Sequence, residues 1–203
     1  MDGFQLMSRL RALAWRRTRQ GLGRLRAVAV ALALTSLAVA SASAQDLAPD
    51  TFADLTFKIL SYDQTLRSRV TGNIQIGVIS AQSNAEQAQS LVSALTQRGG
   101  RKVSGFFVET RLIDLEAAEA AFSQGQLTCV VVFGDVGGRL GSLSDLTRRN
   151  GVLSLGSRKE HLPQLSVGLV EEGGRVKIYR SDAALRAERI QLDASFLNLA
   201  RPL

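Results

Sequence analysis

Apolar and polar positions follow two different periods from residue 49 onward. From Pro49 to Val70 the apolar residues recur every three or four positions behind a proline and an aspartate, which is typical of an amphipathic helix. Residues 73–79 are a short run rich in β-branched side chains, as in a buried strand. Asn84 to Arg98 repeats the helical stripe and ends at two glycines. A strand between two helices is the beginning of an α/β pattern.

The alternation continues through the middle of the chain. The pattern predicts strands at 103–113, 127–133 and 152–155, and helices at 115–124 and from about 139 to 149. The run Leu127 to Phe133 is the most apolar of these, which predicts a strand in the middle of the sheet. Cys129, inside that run, is expected to be a buried, reduced thiol that packs as a small hydrophobic residue.

The pattern changes in the last quarter of the chain. Residues 165–170 and 175–179 flank Gly173-Gly174, which is a hairpin signal at the sheet edge, and two short helical pieces follow at 182–186 and 193–200. Alternating strands and helices imply parallel pairing through right-handed crossovers. The sequence therefore predicts a Rossmann-like three-layer α/β sandwich whose sheet is mostly parallel, with a late antiparallel hairpin.

The first 44 residues have the layout of a secretory signal peptide. Seven arginines lie between Arg9 and Arg26, a 14-residue apolar stretch follows, and Ala42-Ser43-Ala44 offers a cleavage site before Gln45. A membrane span needs about 20 apolar residues, so an uncleaved anchor is the weaker interpretation. A twin-arginine signal at Arg16-Arg17 is also weaker, because polar residues follow the pair. We expect export to the periplasm and a mature chain of residues 45–203 without a stable membrane span.

Removal of that segment changes the charge of the chain. The whole sequence has a formal net charge of +7, but residues 45–203 hold 18 basic and 17 acidic residues. A nucleic-acid-binding protein needs a basic face on the folded domain, so nucleic acid is not an expected partner. The length suits one domain with a single core. Because Cys129 is the only cysteine, the chain cannot form an internal disulfide.

Residues that would carry catalysis or bind a metal are scarce. His161 is the only histidine, and no G-x-S-x-G motif accompanies it, so neither a multi-histidine metal site nor a Ser-His-Asp arrangement is expected. His161 itself is interpreted as an ordinary loop residue. A glycosidase that uses only carboxylates stays open, although the spacing of the acidic residues does not favour one. We expect no enzyme activity, no metal and no cofactor.

A glycine-rich loop between the central strand and a helix is the main candidate ligand site. It contains Gly134, Asp135, Gly137, Gly138 and Arg139 and runs to Gly141. Backbone amides at the start of a helix can hold an anion, and Arg111 and Arg139 are expected near that edge of the sheet, so an acidic small ligand is one interpretation. The loop lacks the dinucleotide fingerprint and the Walker lysine. The other interpretation is a tight turn that needs glycine for its backbone angles.

Four segments together resemble a known family. They are residues 57–63 (FKILSYD), 74–78 (IQIGV), 151–156 (GVLSLG) and 192–200 (LDASFLNLA), and their order and spacing cover nearly all of residues 45–203. In this they are similar to the YfiR family of periplasmic regulatory proteins. Arg180 stands where the family usually has asparagine, Arg189 stands where it has glycine, and the paired cysteines of some members have no counterpart here.

The resemblance implies a function rather than a chemistry. A YfiR-like protein binds the periplasmic domain of an inner-membrane diguanylate cyclase and holds it inactive, which links the envelope to cyclic di-GMP signalling. Phe57, Leu60, Tyr62 and Asp63 are the expected partner surface, because not all of them fall on the buried stripe of the first helix. A homodimer is a further expected assembly.

A second class of function competes with the regulator. A periplasmic solute-binding protein of a transport system would hold its ligand at the carboxyl ends of the strands, near Gly134 to Arg139. Such receptors commonly enclose a ligand between two lobes, and 159 residues supply one lobe of ordinary size. A pocket at that edge would favour the solute-binding function, and a membrane signalling protein encoded next to this chain would favour the regulator.

Overall fold

A computed structural model describes residues 47–203. The predicted signal peptide and its cleavage site before Gln45 lie outside the described residues. Within residues 47–203 no helix is both long and apolar enough to cross a membrane. These residues belong to one compact unit.

Helices and strands alternate along the described chain. The helices are α1 Pro49–Ser61, α2 Leu66–Arg69, α3 Ala85–Arg98, α4 Ala118–Ser123, α5 Leu140–Asn150, α6 Asp182–Ala187 and α7 Ala194–Leu199. The strands are β1 Ile74–Ser80, β2 Val108–Asp114, β3 Cys129–Val132, β4 Leu153–Gly156, β5 Val167–Glu172, β6 Arg175–Arg180 and β7 Arg201–Pro202. Short 3-10 turns precede α3, α4 and α5, and another follows β4.

The seven strands form one sheet in the order β2-β1-β3-β4-β5-β6-β7. All neighbours are parallel except β5 and β6, which pair antiparallel across the turn at Gly173-Gly174. Both turn glycines have positive φ angles, 61° and 69°, as a tight hairpin turn requires. The fold is therefore the predicted three-layer α/β sandwich with a mostly parallel sheet.

The sheet is buried on both faces because successive side chains of a strand point to opposite sides. Cys129 and Val131 of β3 belong to the core beneath α1, α3 and α7, whereas Val130 and Val132 belong to the core beneath α4 and α5. β3 is thus an interior strand, although β4 is the middle strand of the seven. Cys129 has no exposed surface, and burial raises the pKa of its thiol well above the ordinary value.

The first helix is shorter than its pattern predicts. The periodicity runs from Pro49 to Val70, but α1 ends at Ser61 and α2 begins at Leu66. The Asp63 carboxylate accepts hydrogen bonds from the Thr65 backbone N–H, at 2.9 Å, and from the Thr65 hydroxyl, at 2.6 Å, and this turn breaks the helix. Asp63 also forms a β-bridge with Leu192. A contact with a residue far along the chain therefore accompanies the end of the helix.

Two further elements differ from the sequence pattern. The strand expected at 103–113 begins only at Val108, because Val103 and Phe106 bridge each other across a turn with positive φ at Ser104 and Gly105. The hairpin does not end the sheet, since β7 adds a short parallel strand beside β6. Two hydrogen-bonded residues are too few to give a periodic signal.

Candidate functional site

The loop after β3 is shaped by Gly134. Its φ angle is 70°, in the region that glycine adopts without strain, and its N–H donates to the Ser157 hydroxyl at 3.1 Å. A side chain at this position would come within 2.6 Å of the Asn84 amide group. The Asn84 side chain thus lies against Gly134, between the carboxyl ends of β1 and β3, where the winding direction of the sheet reverses.

The next residues prepare the start of α5. The Asp135 carboxylate accepts a hydrogen bond from the Gly137 N–H at 2.8 Å, and Gly137 itself has a φ of 53°. A 3-10 turn from Gly137 to Arg139 then leads into α5 at Leu140. Asp135 and Gly138 remain exposed beside the first turn of an 11-residue helix. Helix amino termini carry a partial positive charge, so this loop can face an anionic group.

The connection between β4 and β5 forms the opposite wall. It contains a 3-10 turn, Lys159–His161, that buries the His161 ring to 3% exposure against Gly156. His161 is hydrogen-bonded to the Gly134 backbone, whereas its Nδ1 is buried without a hydrogen-bond partner. Burial, and after it the positive charge of Arg158, lower the pKa of His161 to about 4. His161 is therefore neutral at pH 7, and it is a buried residue rather than the ordinary loop residue expected.

These two walls border an open cleft of about 650 Å³, called here the carboxyl-end cleft. It is lined by residues of the two loops and of the start of α5: Asp135, Val136, Gly137, Gly138, Leu140, Gly141, Arg158, Glu160, His161 and Gln164. The lining combines one guanidinium, from Arg158, with the carboxylates of Asp135 and Glu160. Such an arrangement can meet both ends of a molecule that carries a positive and a negative group.

Neither arginine expected near this edge lines the cleft. Arg139 is exposed and forms an ion pair with Glu116 at 3.3 Å. Arg111 lies in the middle of β2, two strands away from β3. The cation of the cleft is Arg158, which the sequence reasoning did not single out. Its only sequence signal is its position a few residues after a predicted strand.

The pKa of His161 makes stability depend on pH. Between pH 6.5 and about 4 the histidine takes up a proton in the unfolded chain but not in the folded one. The free energy of unfolding should therefore fall, by at most about 3 kcal/mol, as the pH is lowered through this interval. Urea unfolding at a series of pH values measures it. In His161→Gln this part of the pH dependence should disappear; an unchanged pH profile in the variant would contradict the assignment.

The expected partner surface on α1 is only partly at the surface. Leu60 has no exposed area, so the expectation that it is an exposed contact residue is wrong. The Asp63 side chain is also buried and forms an ion pair with Arg69. Phe57 is half-buried, and Tyr62 packs its ring against Phe196 with a centroid distance of 5.8 Å. Leu60 thus belongs to the buried face of α1, and Tyr62, just after the helix, packs against α7.

The amino ends of the strands are joined through Arg69. Its Nη1 donates to the carbonyl oxygens of Gly151, at 3.0 Å, and Thr128, at 3.3 Å, and its Nη2 pairs with Asp63. Two polar clefts of about 380 Å³ each adjoin this arginine. Since the Arg69 guanidinium is already bonded to three groups of the chain, its geometry is that of a structural clamp between α2, β3 and β4.

A buried carboxyl cluster lies behind one of these clefts. Glu188 has no exposed area and accepts hydrogen bonds from the Ser154 N–H at 3.1 Å, from the Ser154 hydroxyl at 2.5 Å, and from the Ser166 hydroxyl. Burial raises the pKa of Glu188 in spite of these donors. The cluster ties the β4 and β5 region to the segment after α6. Sequence periodicity gives no signal for it.

Among the described residues no three histidine, cysteine, aspartate or glutamate side chains stand close enough to hold a metal ion. The expected absence of a metal and of a cofactor concerns the whole protein and stays a prediction. The described residues do assemble charged groups and an amide around the carboxyl-end cleft.

No family model matches the chain, and no curated protein matches it. Solved structures do match the chain. A conserved domain protein from Vibrio cholerae O1 biovar El Tor aligns with a TM-score of 0.56 at 11% identity, covering 78% of this chain and 61% of that one. An ABC domain in complex with L-Trp from Streptococcus pneumonia aligns with a TM-score of 0.52 at 10% identity, covering 74% and 60%.

A substrate-binding protein with adhesive properties from Clostridium difficile, in its ligand-free open structure, aligns with a TM-score of 0.49 at 14% identity, covering 69% of this chain and 57% of that chain. The chain spans about three fifths of the length of each of these solved structures. At such identities the first two matches establish the α/β fold.

Proposed function

We propose that the described domain is a non-catalytic binding module that acts outside the cytoplasm and holds a small zwitterionic solute of the amino-acid type in the carboxyl-end cleft. The observation that carries the proposal is the lining of that cleft. Arg158 brings a positive charge to the lining, and Asp135 and Glu160 bring two negative charges, so both signs of a zwitterion find an opposite charge there. The cleft lies outside the carboxyl ends of β3 and β4, at the end of the sheet where α/β folds bind ligands, and it is next to the reversal of strand order between β1 and β3.

Each wall has a separate part in this binding. The Asp135 Oδ1 atom accepts a hydrogen bond from the Gly137 N–H, which fixes the carboxylate at the wall of the cleft. The glycines of the loop let a ligand approach the backbone at the start of α5. His161, neutral at pH 7, adds a ring surface without a competing charge. Val136 and Leu140 supply the apolar part of the lining.

The comparisons support the class of ligand. The ABC domain from Streptococcus pneumonia, whose fold this chain shares, is described in complex with L-Trp, an amino acid. Export follows from the signal-peptide layout of residues 1–44. The proposal therefore takes up the solute-binding interpretation of the sequence.

Thermal unfolding in the presence of each amino acid tests the proposal. A true ligand at 100 times its Kd should stabilise the domain by about 2.7 kcal/mol. Arg158→Ala should weaken the affinity about tenfold or more, because it removes the partner of the ligand carboxylate. Arg139→Ala removes the same charge from an exposed position outside the cleft, so its affinity should stay within about twofold of the wild type. Equal losses in both variants would contradict the site.

The regulator implied by the YfiR resemblance is the second candidate function. One observation favours it: Arg189, which stands where that family has glycine, adopts a φ of 59°, a left-handed conformation that favours glycine. The match of backbone geometry to the family's residue type supports the alignment at this position. In this function the chain would bind the periplasmic domain of an inner-membrane diguanylate cyclase, with Phe57 and Tyr62 as the partly exposed members of the expected partner surface.

Deletion of the gene separates the two candidates. A regulator that restrains a cyclase predicts raised cyclic di-GMP and increased biofilm, reversed by an export-competent copy but not by a copy lacking residues 1–44. Such restraint requires about 100-fold preference for the inactive state of the partner. Unchanged cyclic di-GMP together with impaired uptake of an amino acid would support the solute-binding proposal instead.

A further inference from the structure

The open edge of the sheet at β2 carries the inference. β2 is the terminal strand and is seven residues long, and no other described strand lies on its outer side. Natural proteins usually cover or shorten such an edge, because its unpaired backbone groups can pair with another strand. Leu112 of this strand is 38% exposed, and Phe107, just before the strand, is 49% exposed beneath the Lys102 ammonium group.

The hydrogen bonds between β1 and β2 show which backbone N–H and C=O groups of β2 remain unpaired. The Ile74 N–H donates to the Phe107 carbonyl at 2.8 Å. In a parallel ladder every second residue faces the same neighbour. Phe107, Glu109 and Arg111 therefore direct their backbone groups to β1. Val108, Thr110 and Leu112 direct theirs to the open edge.

Side chains on this strand lack partners within the described chain. The Thr110 hydroxyl and the Nε and Nη2 atoms of Arg111 are buried and have no hydrogen-bond partner. Buried polar groups of this kind are rare, and their desolvation is uncompensated. The neighbouring Glu109 is exposed, and its two carboxylate oxygens accept hydrogen bonds from the amides of Asn73, at 2.6 Å, and Gln75, at 2.5 Å. The strand thus offers a carboxylate and an unpaired guanidinium two residues apart.

We propose that β2 pairs antiparallel with β2 of a second copy of this chain, around a twofold axis at Thr110. The two seven-stranded sheets then form one continuous sheet. The outward residues exchange backbone hydrogen bonds: Thr110 with Thr110 of the partner subunit, and Val108 with Leu112 of the partner subunit. The exposed Leu112 becomes covered, and the two Thr110 hydroxyls can bond each other.

Charge favours this register over the two next to it. Outward residues must meet outward residues, so the axis lies at a residue rather than between two residues, and the registers next to 110 have it at 109 and at 111. An axis at 109 sets two Glu109 carboxylates opposite each other, and an axis at 111 does the same with two Arg111 guanidinium groups. The axis at 110 sets Glu109 opposite Arg111 of the partner subunit, twice in the dimer. Those residues form non-hydrogen-bonded pairs, in which the Cα atoms are only about 4.5 Å apart and the side chains are closest.

Charge reversal at the two positions tests the pairing. Sedimentation equilibrium of the purified chain as a concentration series should show a dimer for the wild type. Glu109→Arg and Arg111→Glu each create two like-charge contacts, so each should raise the dissociation constant of the dimer about tenfold or more. The double variant Glu109→Arg/Arg111→Glu should restore the dimer. A mixture of the two single variants should form a heterodimer, because their charges complement each other.

Glu171→Arg is the matched control, since it makes the same change of charge at an exposed residue of β5, away from the β2 edge. The dissociation constant of its dimer should equal that of the wild type. Circular dichroism and thermal unfolding check that each variant is folded. A wild type that stays monomeric would overturn the proposal, as would a dimer that survives both single variants, or a double variant that fails to recover. A monomer that instead takes up an extended peptide at β2 would assign the edge to another partner.

Discussion

Replacing Asp63 by alanine is expected to lower the free energy of unfolding by about 3 to 5 kcal/mol. The Asp63 side chain is buried and is the charge partner of Arg69, which clamps α2 to the carbonyl oxygens of Gly151 and Thr128. Without it a largely buried guanidinium keeps its charge but loses its counter-ion. The turn that ends α1 loses its acceptor as well. Urea unfolding at neutral pH measures the change.

Asp54→Ala is the control for the Asp63 prediction. Asp54 pairs with Arg98 on the surface, and its side chain is 63% exposed. Water and salt screen such a pair, so its loss should change stability far less than the loss of Asp63. Similar losses in the two variants would show that the buried clamp is not what stabilises this end of the sheet.

Replacing Glu188 by alanine is expected to lower the free energy of unfolding by about 3 kcal/mol or more. The change leaves the buried Ser154 N–H and the hydroxyls of Ser154 and Ser166 without their acceptor, and it opens a cavity between β4, β5 and the segment after α6. Glu188→Gln keeps the volume and one acceptor oxygen. The free energy of unfolding should therefore fall clearly less in Glu188→Gln than in Glu188→Ala in the same urea experiment.

The pH dependence of the free energy of unfolding of these variants is a second test of the Glu188 cluster. Since burial raises the pKa of Glu188 above its ordinary value of 4.5, the folded chain binds a proton more readily than the unfolded one. The contribution of Glu188 to stability therefore falls as the pH rises from about 4.5 through the raised pKa. Glu188→Gln should remove this fall, measured as the difference from the wild type. A difference that does not change with pH would contradict the raised pKa.

The apolar pattern was sufficient to predict the layers and the order of the elements. β3 is a run of apolar residues because both of its faces are buried, and the hairpin at Gly173-Gly174 has a turn that only a few residue types favour. Periodicity reports burial within one element, so it predicts elements well. It could not predict that α1 ends at Ser61, because the bridge between Asp63 and Leu192 that accompanies the break joins residues distant in sequence.

Only one wall of the carboxyl-end cleft was predicted from the sequence. The glycine loop after β3 was recognisable because Gly134 and Gly137 need positive φ angles that other residues avoid. The opposite wall was missed because Arg158 to Gln164 has no apolar period and no motif. His161 was interpreted as an ordinary loop residue, although the packing of its ring against Gly156 buries it. Contacts of this kind depend on how β4 and β5 are placed, which local patterns do not contain.

The central claim is that the carboxyl-end cleft is the ligand site, and amide chemical-shift mapping tests it most directly. Adding the amino acid that gives the largest thermal stabilisation should move the backbone signals of Gly137, Gly138 and Gly141 and those of residues 158–164, in a saturable way. The signals around Arg69 at the amino ends of the strands should stay in place. Shifts confined to the amino-end clefts, or no saturable shift with any amino acid, would contradict the account.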